Sequence, residues 1–315
     1  MDNHLVLLPI VIPLTGAVVG LLLQRWQREQ AFWTLGTMFT SLVTSVLLLQ
    51  TVWQTGDPII FMSGGWQAPF GISLVGDLLA AVMVLMSQTG LLFGILYGIG
   101  CKDKVASYPT FYPLFLMLGT GLTGAMLTGD LFNLFVFAEL LVISGTVLTA
   151  ISDDKYGTEA AYKYFYISLL AAVFLLLACG TLYVTFGTLN MADLADRIAA
   201  NGDLPLIPVA AALLVATFMI KGAAFPFHFW QPDFHTAAPT PVHAVLSSVV
   251  VKLGIYGLIR VTTLLFPVQA PLIQTILVVA GVVGIFYGSL GAIGTYDAKR
   301  MLAYSTMGQL GFILV

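Results

Sequence analysis

Charge is what this chain has least of. Of its 315 residues only 9% are Asp, Glu, Lys or Arg, against about 25% in an ordinary soluble domain, so it cannot cover a water-facing surface. The 12 Lys and Arg are outnumbered by 15 Asp and Glu. No basic face exists to neutralise a phosphate backbone, which excludes nucleic acid as a partner. The two cysteines, Cys101 and Cys179, cannot build a disulfide framework. One stands beside Lys102 and Lys104 and the other in the middle of an apolar run, so both are expected to stay apart as free thiols. A Walker-type loop, a dinucleotide fingerprint and a cysteine cluster for an iron–sulfur centre are all missing, so the chain is expected to carry no cofactor and no redox site. The first apolar run, Leu5 to Leu23, has no basic segment before it and no small-residue cleavage site after it. It reads as a retained helix, not a signal peptide.

What is present is apolar: 59% of residues are hydrophobic, and the mean hydropathy is +0.97. Several runs reach the roughly 20 residues needed to cross a hydrocarbon layer of about 30 Å. The expected fold class is an all-α polytopic membrane protein. Ten candidate spans fall near 5–23, 31–53, 77–99, 110–128, 130–150, 163–186, 205–224, 242–265, 271–294 and 300–315. Between them, Asp57 to Gly76 carries Pro58, Gly64, Gly65, Pro69 and Gly71 and suits an interfacial turn or hairpin. Met191 to Ala200 reads as a short amphipathic surface helix. One set of alternate loops holds Arg25, Arg28, Lys102, Lys104, Lys155, Lys163, Lys299 and Arg300, and the other only Arg197 and Arg260. Lys and Arg accumulate on the cytoplasmic side, so the N-terminus is expected outside and the turn at 24–30 inside. The last apolar helix runs from Met301 to Val315, about 22 Å at 1.5 Å per residue. It reads as cut off inside a helix, as in a fragment or an early-terminated copy.

Three charges fall inside spans. Glu139, in LFNLFVFAELLVISG, lies about 13 Å beyond the helix start at Asp130, and Lys252 stands at the middle of 242–265. Ionised groups at that depth are costly and face a partner or a water-filled cavity. Either a structural ion pair or stations on a proton path would place them there. Lys221 ends the 205–224 run, where it could snorkel to the interface. With Pro226 following, it could instead sit near the midplane at the break of a discontinuous helix, as in transporters. His228, His235 and His243 are spaced seven and eight apart, which does not match the short ligand pairs of zinc sites, so no metal is expected. His243 opens the Lys252 helix nine residues earlier, about 13 Å along the axis. It suits either a proton relay through water or a hydrogen-bonded helix start. Asp77 and Asp130 read as N-caps. Asp153, Asp154, Lys155 and Glu159 read as a solvated loop, and Gly90, Gly94 and Gly98 as a helix-packing stripe.

Three stretches make the sequence recognisable: DLFNLFVFAELLVISG around Glu139, KGAAFPFHFWQPDFHTAAPTPVHAVLSSVVVKLGIYGLIR from Lys221 to Arg260, and YDAKRMLAYSTMGQLG at 296–311. It resembles the proton-translocating, antiporter-like membrane subunits shared by respiratory complex I and the Mrp multisubunit Na+/H+ antiporters. GGWQAPFGISLVGDLLA at 64–80 looks most like the D subunit of Mrp antiporters. The resemblance implies two inverted five-helix repeats, each with a broken helix. Residues 1–108 would be N-terminal helices with the interfacial hairpin at 57–76, residues 109–265 the first repeat, and 266–315 the start of a truncated second. It further implies that Glu139 pairs with Lys221 on the broken helix, that Lys252 is central to the half-channel, and that His243 lies near a histidine of the proton passage. Expected partners are the lipid bilayer, H+, Na+ and the other subunits of an Mrp-type complex, in the plasma (inner) membrane of a prokaryote. The alternatives are a proton-pumping subunit of a complex I–like oxidoreductase or membrane hydrogenase, and a scaffold that transports nothing. The exit residue of the second repeat, a lysine or glutamate, is absent from this sequence.

Overall fold

The computed structural model describes residues 2–101, 104–151, 154–201 and 204–315; Lys102 and Asp153, both read above as loop charges, lie outside the described residues. Apart from one small hairpin, the described chain is helical. Six helices are long and apolar enough to cross a membrane: α2 (Gln27–Thr55), α3 (Leu78–Gly100), α5 (Leu131–Ala150), α6 (Lys155–Phe186), the composite helix Thr240–Leu265, and α12 (Ala270–Ile293). Shorter apolar helices are α1 (Leu8–Leu22), α4 (Phe111–Leu127) and α8 (Leu206–Lys221). The remaining elements are strands β1 (Ile59–Met62) and β2 (Ser73–Gly76) and helices α7 (Met191–Ala200), α9 (Gln231–Ala237) and α13 (Ala298–Leu314). Within the composite helix, α10 (Thr240–Val245) leads through a π-helical stretch, Leu246–Val250, into α11 (Lys252–Arg260), and a second π stretch covers Val261–Leu265.

One expectation fails at the start of α6. Lys155 and Glu159 are helical and not in a solvated loop. The reason is local: the Asp154 carboxylate accepts the Gly157 amide, and Glu159 pairs with Lys163 at 2.7 Å one turn on. Hydropathy falls at these charges, but helical hydrogen bonding does not. The 57–76 stretch forms an antiparallel hairpin, with Ile59 opposite Gly76 and Met62 opposite Ser73.

The chain divides into two compact units, residues 1–67, 71–158 and 238–249, and residues 68–70, 159–237 and 250–315. In the first, α4 is the centre, buried almost end to end and packed by α1, α2, α3 and α5. Its glycines permit this. A Cβ at Gly121 would lie 2.7 Å from the Leu141 nitrogen and 2.8 Å from the Phe137 oxygen, both on α5, so only glycine lets the backbones approach so closely. The start of α5 is fixed twice. Asp130 caps it by accepting the Asn133 amide at 2.9 Å, and the Gly129 amide donates to the Ser73 carbonyl of β2 at 2.9 Å. The expected glycine stripe of α3 packs against α10, where Gly98 meets Pro241, and Gly94 meets Val245 and the Pro241 carbonyl.

In the second unit, glycine contacts again set the close approaches. A Cβ at Gly281 of α12 would lie 2.8 Å from the Gly311 oxygen of α13. The amphipathic helix α7 buries Met191, Leu194 and Ile198. Its Arg197 holds Asp193 at 2.8 Å and donates to the Phe186 carbonyl at the end of α6 at 2.7 Å. The Arg197 hydrogen bond, with a smaller one from Thr188, holds the Asp193 carboxyl below its ordinary range.

Candidate functional site

In the second unit, the helices carrying Lys221 and Lys252 meet backbone to backbone. Gly222 and Gly254 form the crossing: a Cβ at Gly254 would collide with the nitrogen and Cα of Gly222 and lie 2.7 Å from the Phe218 oxygen. One turn on, a Cβ at Gly257 would run into the Phe218 ring. Lys221 is one residue before its crossing glycine and Lys252 two before its own, so both lysines stand beside the crossing on adjoining helices. Both are partly buried.

The break after Lys221 is real, and its hydrogen bonds can be counted. A helix end inside a membrane must have its carbonyls satisfied by the protein. Ala223 takes a left-handed conformation, φ 48°. It lets the Ala223 amide reach the Ile220 carbonyl at 3.1 Å and the Ala224 amide reach Met219 at 2.9 Å. These are the two bonds of a Schellman ending. Glycine usually fills that left-handed position; here the glycine sits one residue earlier, at the crossing with Gly254. Past the break, the Trp230 indole N–H donates back to the Ile220 carbonyl at 3.2 Å, joining the two sides.

The segment beyond the break is anchored by rings and charges. Tyr164 of α6 stacks on Phe234 at 3.9 Å and meets Trp230 at 4.9 Å. Asp233 bridges Lys163 of α6 and Arg300 of α13, each at 3.2 Å. Lys163 and Arg300, counted in the sequence as loop charges, are helical residues sharing one carboxylate. His228 is buried between Phe225, stacked at 5.4 Å, and Tyr287 of α12 at 4.5 Å. His235 is also fully buried.

The other two expected residues lie in the first unit. Glu139 is half-buried on α5, and His243 is buried in α10. The His243 amide donates to the Pro239 carbonyl at 2.8 Å, an ordinary main-chain bond of the helix. The 13 Å between His243 and Lys252 assumed a uniform α-helix; the chain between them instead includes the π-helical stretch Leu246–Val250. Among the described residues, no group of three His, Cys, Asp or Glu side chains is placed to hold a metal. Cys101 is exposed and Cys179 buried, and neither forms a disulfide.

Sequence reasoning passed over two buried amides. Gln88 of α3 and Gln231 of α9 are each 0% exposed, with neither amide atom hydrogen-bonded. Buried polar groups without a protein partner are where ordered internal water sits. The polar triplet Ser87-Gln88-Thr89 inside an apolar run was the signal for the first. Asp233, a lone carboxylate after a helix break, was the signal for the ionic anchor.

A family model described as NADH:quinone oxidoreductase/Mrp antiporter, TM matches residues 128–315. The chain is similar to the D subunit of the Na(+)/H(+) antiporter of Alkalihalophilus pseudofirmus, with 33% identity over 99% of this chain and 63% of that protein. It is also similar to the N subunit of the NADH-quinone oxidoreductase of Desulforudis audaxviator, with 35% identity over 100% of this chain and 64% of that protein. Among solved structures it matches a chain of the Mrp complex from Dietzia sp. with TM-score 0.91 and 27% identity, covering 99% of this chain and 58% of that one. The chain thus spans 63% of the length of the antiporter proteins it matches.

Proposed function

Because the chain belongs to the NADH:quinone oxidoreductase/Mrp antiporter transmembrane family, we propose that it is an ion- and proton-translocating membrane subunit of a multisubunit Mrp-type Na+/H+ antiporter. The observation that carries this is the backbone contact of two lysine-bearing helices, one of them broken directly after its lysine. Desolvation favours a neutral amine, while a nearby carboxylate favours the ammonium. Lys221 is the amine whose proton is held or released as its partnership with Glu139 changes. Lys252 receives the proton, through water, and His243 passes it on. Around ten membrane spans, with the N-terminus outside a prokaryotic plasma membrane, belong to the same reading. So does the division into N-terminal helices (1–108), a first five-helix repeat (109–265) and the start of an inverted second (266–315). Partners are the other antiporter subunits, and the transported ions are H+ and Na+.

The 35% identity to an NADH-quinone oxidoreductase subunit favours one second reading, a proton-pumping subunit of a complex I–like assembly. In that assembly redox work elsewhere drives the same lysines. Neighbouring genes for other Mrp subunits, or for quinone oxidoreductase subunits, separate the two.

Lys252 provides the test. Lys252→Ala is expected to abolish ion-gradient-dependent pH changes in everted vesicles, and Lys252→Arg is expected not to restore them. Guanidinium stays protonated in proteins, so Arg keeps the charge and cannot pass on a proton. Activity in the Arg variant, at equal subunit abundance, overturns the carrier role and leaves a structural ion pair.

A further inference from the structure

One end of the first unit holds a cavity of about 320 Å³ between the start of α2, the end of α3 and the start of α4. Its polar lining is Gln27, Arg28, Ser107 and Tyr112. The Gln27 amide donates to the Ser107 carbonyl, which fixes one wall. Arg28 is exposed, and among the described residues no carboxylate pairs with it. Glu29 follows it on α2 but does not line the cavity. The N-termini of α2 and α4 open here, and neither N-cap residue, Trp26 or Thr110, makes a side-chain capping bond. Two uncapped helix starts add positive potential to that of Arg28.

The depth of the cavity is marked by aromatic side chains. Trp26 is 62% exposed and Tyr108 43% exposed, and both stand at helix ends, where tryptophan and tyrosine sit at headgroup level in a bilayer. The acyl-chain direction is apolar: Leu22 and Phe32 are 77% and 67% exposed on α1 and α2. The opposite end of the same helices carries the contrary charge. A cavity of about 490 Å³ there is lined by Asp57 and Asp77, and it would repel an anion.

We infer that the Arg28 cavity binds the phosphate headgroup of an anionic glycerophospholipid, with the acyl chains lying along the apolar faces of α1 and α2. Arg28 takes the phosphate through its guanidinium fork. Gln27, Ser107 and the Tyr112 hydroxyl supply the neutral polar wall for the glycerol. Basic pockets between membrane helices select anionic headgroups by this chemistry. The cavity lining includes none of Lys221, Lys252, Glu139 and His243, and the proposal holds whether or not those residues move protons.

The test titrates phosphatidylglycerol or phosphatidylcholine into the purified protein in mixed micelles, and reads thermal unfolding by tryptophan fluorescence. Phosphatidylglycerol is expected to raise the unfolding temperature at a mole fraction at least tenfold below that needed for phosphatidylcholine. Arg28→Gln is expected to remove that preference. Arg25→Gln, one turn away and outside the cavity lining, is expected to keep it. Arg28→Lys retains the charge without the fork and is expected to need several-fold more lipid; it serves if the Gln variant does not fold. An undiminished preference in Arg28→Gln overturns the proposal, as does an equal loss in Arg25→Gln. An equal shift from millimolar inorganic phosphate also overturns it, because that would make the site one for free anions and not for lipid.

Discussion

Replacing Gly254 with alanine puts a methyl group where the backbone of α8 already lies. The new Cβ would sit 2.7 Å from the Phe218 carbonyl oxygen and closer still to the nitrogen and Cα of Gly222. Non-bonded carbon contacts are comfortable at about 3.5–4.0 Å, so the helix axes must separate by about 1 Å. None of the three obstructing atoms can rotate aside, since all are backbone. Inserting a methyl into such a contact costs about 1–3 kcal/mol, and the separation moves Lys221 relative to Lys252 by the same distance. Gly222→Ala is expected to be milder, because its Cβ would meet the Phe218 oxygen at 3.0 Å and the Gly254 Cα at 3.4 Å. Gly257→Ala supplies a control, since its obstruction is the Phe218 ring. A smaller side chain at 218 should rescue Gly257→Ala, and should do nothing for Gly254→Ala. The measurement pairs thermal unfolding of the purified protein with ion-gradient-dependent proton movement in vesicles. Wild-type stability and transport in Gly254→Ala would refute the glycine crossing as what sets the two lysines in register.

Other outcomes follow from the same geometry. Under the proposed relay, Glu139→Gln leaves the complex assembled and strongly reduces exchange, because Lys221 would lose the charge proposed to hold its proton; normal exchange in those membranes rejects the relay. Gln231→Leu removes a buried amide of matching size. If that amide holds internal water on a proton path, transport falls severalfold without a rise in unfolding temperature, whereas higher stability at full activity shows that it stood in a dry core. The clasp of α7 is pH-dependent. Asp193 is held below its unfolded range by Arg197, so its contribution is complete above the unfolded carboxylate pKa of about 4 and is lost as pH falls through the lower folded value. Proteolysis at 187–201 should therefore accelerate on acidification, and Arg197→Ala should be fast and pH-insensitive in that range. A reporter inserted after Lys104 should read the cytoplasm and one near Asn201 the outside; the reverse pattern overturns the orientation.

Much of this was legible in the residues, and the misses have physical causes. Asp77 and Asp130 announced themselves as caps, since a carboxylate before an apolar run has an orphan amide to meet; each accepts the amide three residues on, at 2.9 Å. The break after Lys221 was legible because Pro226 cannot continue a helix and the run before it is too short to cross a bilayer. The early start of α6 was not, because hydropathy reports where a helix meets lipid and not where its hydrogen bonds begin. The π stretch between His243 and Lys252 left no mark in the residue types LSSVV. The lysine-bearing crossing was half legible: both lysines stood out as charges in apolar runs, but the Gly222 and Gly254 contact that joins their helices depends on which faces meet. No spacing within one helix encodes that.

The ending of α8 also bears on which ion the break can serve. Discontinuous helices in sodium-coupled carriers often lend freed carbonyl oxygens to the stripped cation. Here three of those oxygens already accept hydrogen bonds from the protein. The Ile220 oxygen accepts both the Ala223 amide and the Trp230 indole, and Met219 and Phe218 each accept an amide. A dehydrated metal cation arriving at this point would compete with protein donors for these three carbonyls. On the proposed reading, the break therefore suits a proton passed between nitrogen and water better than a stripped metal ion.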